Sequence, residues 1–229
     1  ETVNANTKAG WNNPQVVTLL NDVTAGKHEV ELRVTSDTQA KNFHILGFGT
    51  TGTIESKERI IPELLPYTER AVLNTGNTYR LEELMKRAEA GEKLTIGFIG
   101  GSITMGSGAS SYDNCYARKI YDWWSSNFKE STFELVNAGI GATTSQFACA
   151  RVKEDLLSKN PDFVIVEFSV NDEGTAKYGE TYESLLRMIL ESESKPTVIV
   201  LNMVQYNNGN NAQNRHNEIA KAYDLPIIS

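Results

Sequence analysis

Histidine is scarce in this chain: His28, His44 and His216 are the only three in 229 residues. They form no pair, and no His/Asp cluster, at a spacing that would ligate a metal, and no cofactor motif stands in for one. Cysteine is rarer still. Cys115 and Cys149 form neither a CxxC pair nor a zinc spacing, and both fall in stretches read as helical, where buried thiols act as small hydrophobes. Long apolar runs are missing. No window approaches the roughly 18 apolar residues of a membrane span, and the opening "ETVNANTKAG" lacks the apolar core of a signal peptide. The chain therefore reads as soluble, secreted or cytoplasmic alike. Clusters of Lys and Arg are also absent: 22 basic residues face 29 acidic ones, for a net charge of −7 and a pI near 5.1. That balance argues against nucleic acid or an anionic membrane as partner and points to a small or neutral ligand.

What is present divides in two. Residues 1–50 are β-rich: "HEVELRVTS" alternates Val30, Leu32 and Val34 against Glu29, Glu31 and Arg33, and "QVVTLL" and "FHILGF" flank it. Three strands make only part of a β-sandwich. Residues 51–78, with Pro62, Pro66 and "NTGNT", read as a connector. From Tyr79 to Ser229 strands alternate with helices. "YRLEELMKRAEAG" puts Leu81, Leu84, Met85 and Ala88 on one helical face, with Gly91 placed to end it. Strands follow at "LTIGFIG", "FELVNAG", "DFVIVEFSV", "TVIVLNMV" and "LPIIS", with helical stretches near 114–128, 144–158, 181–192 and 212–223 between them. Nearly unbroken apolar strands separated by helices predict an α/β fold, a five-stranded parallel sheet covered on both faces.

In open parallel sheets ligands bind beyond the carboxyl ends of the strands. The first strand of this sheet ends in "GGSIT" with Ser102, the second in "NAGIGATTS", the third in "SVND" with Asn171. Each has a purely structural account: Ser102 as a helix N-cap, "GIGATTS" as a tight turn capped by Thr144 or Ser145, Asn171–Asp172 as an Asx-turn. Together, at successive strand ends, they supply the parts of acyl transfer: a hydroxyl nucleophile, backbone N–H donors at a helix start, and a carboxamide for a developing oxyanion. Other motifs fail on residues. Thr144 stands where a dinucleotide fingerprint needs its third glycine, Gly106 is followed by Ser107 and not by a phosphate-loop Lys, and Thr104 occupies the second glycine of a G-x-S-x-G elbow.

These residues resemble the SGNH or GDSL hydrolases. "GGSIT" looks like the first block of that family, with Ser102 at the nucleophile. "NAGIGATTSQFACAR" looks like the second, and "VEFSVND" like the third, with Asn171 at the oxyanion asparagine. The resemblance runs from about residue 79 to the last residue, and its wording is most like that of carbohydrate-directed members, including acetyl-xylan-type esterases. It implies a flavodoxin-like three-layer α/β/α fold, ester hydrolysis without a cofactor, and often an O-acetyl sugar as substrate. Three positions depart from the family: Gly101 replaces the usual Asp before the serine, Ser169 replaces the glycine of the third block, and Ala142, beside Gly141, replaces the oxyanion glycine. A backbone N–H is what that last site needs, and alanine has one. Glu167 reads as a structural carboxylate near its strand end.

The largest departure is the base. A serine hydroxyl needs a neighbouring histidine to attack at neutral pH. The family carries it as Asp-x-x-His after the fifth strand, whereas Ala25, Lys41 and Gln213 stand three residues before the histidines here. His216, in the helix before the fifth strand, reads as solvated or capping. The expectation is therefore a serine esterase domain, Ser102 as nucleophile with Gly141 or Ala142 and Asn171 around the oxyanion, in a piece of a longer or rearranged protein whose histidine comes from a C-terminal segment or a second chain. The competing reading is a non-catalytic carbohydrate-binding or scaffold module. Tyr112, Tyr116, Trp123 and Trp124, at helical spacing, are expected in the core and not on a sugar.

Overall fold

The structure, a computed structural model, describes residues 65–205, 208–209 and 211–229. The β-rich stretch 1–50, with His28 and His44, lies outside the described residues. The chain divides into two compact units, Glu1–Lys57 and Glu58–Ser229, and every described residue belongs to the second.

The described elements in chain order are α1 (Leu65–Ala71), β1 (Val72–Asn74), α2 (Tyr79–Glu89), β2 (Lys93–Gly100), α3 (Ser102–Met105), α4 (Tyr116–Asn127), β3 (Thr132–Gly139), α5 (Ser145–Asp155), β4 (Phe163–Glu167), α6 (Ala176–Leu190), β5 (Thr197–Leu201), α7 (Gln213–Ala222) and β6 (Ile227–Ile228). The sheet order is β1-β6-β5-β4-β2-β3, with β3, β2, β4, β5 and β6 parallel and β1 antiparallel to β6. Among the described residues the sheet thus has six strands where the sequence predicted five. The extra strand falls in the stretch read as a connector. Its three residues are too few to show a period of two, and it is fastened by Asn74 Nδ2 donating to the Leu225 carbonyl (2.8 Å) and Asn77 N–H to that of Asp224 (2.7 Å).

Strand β2 shows why the parallel strands read as continuous apolar runs. Every residue from Leu94 to Gly100 is buried, because Leu94, Ile96 and Phe98 pack under α2 and α4 while Ile99 joins Val164, Val166, Val198 and Val200 under α5, α6 and α7. Each fully buried side chain of this size contributes about 1.5–3 kcal/mol. Helix α6 begins at Ala176, several residues before its sequence-predicted start at 181, and its first turn runs through Gly179, ordinarily a poor helix residue. The Arg215 side chain crosses there, and a Cβ at Gly179 would lie 2.9 Å from its Cδ.

The aromatic expectation holds for two residues of four. Trp124 is buried and stacks on Phe128 (5.2 Å), and Tyr116 packs edge-on to Phe98 (5.8 Å). Trp123 and Tyr112 are instead about half exposed, at 50% and 47%. Trp123 borders an apolar cavity of about 310 Å³ between α2, α4 and strands β4 and β5. Cys149 lies in α5 with its thiol pushed up by burial, while Cys115 caps α4 from outside; both are free. No described helix is long and apolar enough to cross a membrane.

Candidate active site

Renumbered along the five parallel strands, the sheet order is 2-1-3-4-5, which reverses direction between β2 and β4 and opens a crevice beyond their carboxyl ends. Register sets the three strand ends level. Gly100 at the end of β2 pairs with Gly139 of β3 and with Glu167 of β4, so the three turns that follow leave the sheet side by side. Ser102, the Gly141–Ala142 turn and Asn171 are carried on those turns.

Ser102 is the first residue of the one-turn helix α3, half-buried, and its hydroxyl makes no hydrogen bond to another described side chain. The helix is held from several sides. Asn137 Nδ2 donates to the Thr104 carbonyl (2.8 Å), Thr104 Oγ1 lies 2.8 Å from the Tyr116 hydroxyl and donates to Glu167 Oε2 (3.1 Å). Beneath it the buried Arg151 donates to the carbonyls of Gly100 (3.3 Å) and Ala138 (2.7 Å), tying the ends of β2 and β3 together. The glycines before Ser102 follow from crowding. A Cβ at Gly100 would collide with Thr104 Oγ1, and one at Gly101 with Asn171 Nδ2. The replacement of the family's Asp by Gly101 therefore leaves room for the asparagine amide.

In the second turn Ala142 is exposed and left-handed, at φ 57, a conformation that glycine adopts freely and alanine does not. Ala142→Gly is accordingly expected to stabilise the fold by about 1 kcal/mol, raising the melting midpoint by about 2–4 °C in a thermal scan. A lower midpoint would show that the turn does not strain alanine. A Cβ at Gly141 would sit 3.8 Å from the Ser102 Cβ and 3.5 Å from the Met105 Cε, which brings this turn against the serine and gives the crevice an apolar wall. Thr144 is the N-cap of α5 but makes no side-chain cap bond; the Asp172 carboxylate caps instead, accepting from Ser145 N–H (2.9 Å).

In the third turn Asn171 Nδ2 donates to the Thr143 carbonyl (2.7 Å), joining this turn to the second. The carboxamide keeps a second N–H. Ser169, where the family has glycine, puts its hydroxyl on the backbone of Met203, donating to the carbonyl (2.7 Å) and accepting from the N–H (2.6 Å).

His216 is corrected. It is neither solvated nor a cap: it is fully buried in α7, its ring stacked on Tyr182 at 3.6 Å, and its Nε2 donates to Asp172 Oδ2 at 3.1 Å. The sequence signal for this pairing is the acidic residue directly after Asn171; what the sequence does not show is that α7 lies over it. Removing one partner of such a buried pair typically costs about 3–5 kcal/mol. His216→Ala should lower stability by that amount in urea unfolding, and unaltered stability would remove the pair from the account. Arg151 was also missed, although a charged residue on the face of α5 that carries Ala148 and Val152 is a readable anomaly.

The sequence profile of the GDSL-like lipase/acylhydrolase family matches residues 98–227, more than half of the chain. The chain belongs to that family. Among solved structures, this family member is similar to a two-domain esterase (CEX) active on acetylated mannans, at 52% identity and a TM-score of 0.70, over 71% of this chain and 44% of that one. The same esterase co-crystallised with mannopentaose gives the same figures. The chain thus spans less than half the length of that relative. An acetyl xylan esterase, AlAXEase, aligns at 21% identity with a TM-score of 0.48, over 58% of this chain and 76% of that one. No curated protein matches the sequence.

Proposed function

We propose that this chain is the catalytic domain of a serine esterase that removes O-acetyl groups from carbohydrate through an acyl-enzyme. The observation that carries the reading is the level register of β2, β3 and β4, by which Ser102, the Gly141–Ala142 turn and Asn171 share one crevice. The 52% identity to an esterase active on acetylated mannans supports the choice of substrate.

In this reading Ser102 Oγ attacks the ester carbonyl while a base takes its proton. The carbonyl π electrons move onto oxygen, where N–H groups of Ser102 and of Ala142 or Gly141, with Asn171 Nδ2, receive the charge. Collapse breaks the bond to the sugar oxygen, which leaves with the proton held by the base. Water then attacks the acetyl-serine, giving a proton to the same base; collapse breaks the bond to Ser102 Oγ, which takes that proton back, and acetic acid departs and ionises. In this reading the base is a histidine other than His216, which is committed to Asp172; the family pattern, Asp-x-x-His after the fifth strand, favours one on a C-terminal segment or a second chain. The partner is a carbohydrate ester, and no cofactor enters the cycle.

The test is acetate release from acetylated mannan and from acetylated xylan, beside p-nitrophenyl acetate turnover, by the 229-residue chain and by a longer or assembled form. Release by the longer form, with little or none from the chain alone, supports both the esterase and the external base. Binding of mannan without release by either form supports the competing module, which kept the crevice without the chemistry. Equal turnover by both, lost in a His216→Ala variant that circular dichroism and a urea melt show to be folded under the assay conditions, would return the base to His216.

A further inference from the structure

Helix α3 is one turn long, so Ser102 and Met105, three residues apart, are neighbours on one face of it. The backbone of Met105 is fixed. Its N–H donates to the Gly101 carbonyl (3.1 Å), Asn137 Nδ2 donates to the carbonyl of the preceding Thr104 (2.8 Å), and a Cβ on Gly139 would collide with the Met105 nitrogen. From there the side chain runs to the second turn. A Cβ placed on Gly141 would lie 3.5 Å from Met105 Cε, 4.0 Å from its Sδ and 3.8 Å from Ser102 Cβ. Met105 is nevertheless 45% exposed: the thioether covers Gly141 beside the serine and is not itself covered.

Which part of an ester meets that thioether follows from the sheet order. Strand β2 stands between β3 and β4, with β5 and β6 beyond β4. In the ester-hydrolysis reading the histidine follows the fifth parallel strand, β6, and so reaches Ser102 from the β4 side. The departing sugar oxygen has to lie near that histidine to receive its proton. The acyl chain is then turned the other way, toward β3, where Gly141 and Met105 stand. The apolar cavity bordered by Trp123 offers the chain no other place, because its lining shares no residue with the three turns.

We propose that Met105 sets the acyl-chain length of the substrate: its thioether is the wall of a short apolar pocket over Gly141 that takes an acetyl methyl and turns longer chains away. This role rests on the ester-hydrolysis reading.

A chain-length series on the active form tests it. Each methylene that an apolar site takes or refuses changes kcat/KM by about 10- to 200-fold, and methionine, with three rotatable bonds, yields enough to put the effect at the low end. Wild type should therefore favour p-nitrophenyl acetate over the butyrate by about 10-fold or more in kcat/KM. Met105→Ala should narrow that ratio about 10-fold, acetate losing a contact while butyrate gains room, and Met105→Leu, of similar volume, should keep the wild-type ratio. Acetate release from acetylated mannan should follow p-nitrophenyl acetate across the variants, since the acyl group is the same and the sugar leaves on the other side. Wild-type protein labelled with 13C-methyl methionine supplies a readout that does not depend on how Met105→Ala folds. The Met105 Cε resonance, identified by its loss in Met105→Leu, should move when Ser102 carries a phosphonate with a butyl group in place of the acyl chain, and move less with a methyl group.

An acetate-to-butyrate ratio unchanged in folded Met105→Ala, or a Met105 resonance that answers methyl and butyl alike, would overturn the proposal and leave the esterase reading standing. A loss on acetylated mannan far beyond that on p-nitrophenyl acetate would put Met105 against the sugar and overturn it too. Wild type that turns over no ester of any length would remove the esterase reading, and the acyl pocket with it.

Discussion

Ser102→Ala is expected to abolish acyl-enzyme formation and to lower kcat on activated esters by about 10⁶, the loss seen when a triad serine is removed. The size follows from the chemistry: no other group on the three turns has a nucleophilic atom at that point, and what is left is the acceleration of an oxyanion site without a nucleophile, about 10³–10⁴ over water. The fold should be unaffected. Ser102 is half-buried, its hydroxyl bonds no described side chain, and the residue that opens α3 at its N-cap is Gly101. Surface-like truncations of this kind change stability by less than about 0.5 kcal/mol. Steady-state kinetics and a urea melt on the same preparation check both halves, and hydrolysis at the wild-type rate would remove Ser102 from the mechanism.

Asn171→Ala carries the second-largest effect. Loss of one oxyanion donor typically costs about 10²–10³ in kcat, because the bond strengthens as charge builds on oxygen and counts for little in the ground state. KM should therefore stay nearly constant. The substitution also takes the donor from the Thr143 carbonyl, where the second and third turns meet, at a stability cost of about 1 kcal/mol. A raised KM with unchanged kcat would make Asn171 a ground-state binding residue.

How much of this was legible in the sequence depends on distance along the chain. Strands β2 to β6 declare themselves as apolar runs that stop at glycine or at a polar turn, and the rule of ligands at carboxyl ends then points to the three turns; the resemblance to the SGNH hydrolases implies Ser102, Gly141, Ala142 and Asn171 within them. Gly101 under Asn171 gives a physical reason for one departure that the sequence could only register, whereas Ala142 in the left-handed region shows a departure that strains the turn. Tertiary pairing stayed hidden. His216 looked like a solvated helix residue because nothing local says that α6 and α7 close over it or that Asp172 lies opposite. Glu167 reads as a structural carboxylate near its strand end, but its donor, Thr104 Oγ1, lies 63 residues earlier, and only the level register of β2 and β4 brings the two together. The edge strand β1 escaped because three residues carry no period, and Trp123 because helical spacing does not tell which side of α4 the sheet fails to cover.

The central claim is that Ser102 is the nucleophile of an acyl-transfer site, and covalent trapping tests it most directly. The active form is incubated with a fluorophosphonate, its intact mass measured, and the modified peptide sequenced. The account predicts one adduct per chain, on Ser102, absent in Ser102→Ala and formed more slowly in Asn171→Ala. An adduct on any other residue, or undiminished labelling of Ser102→Ala, would contradict it.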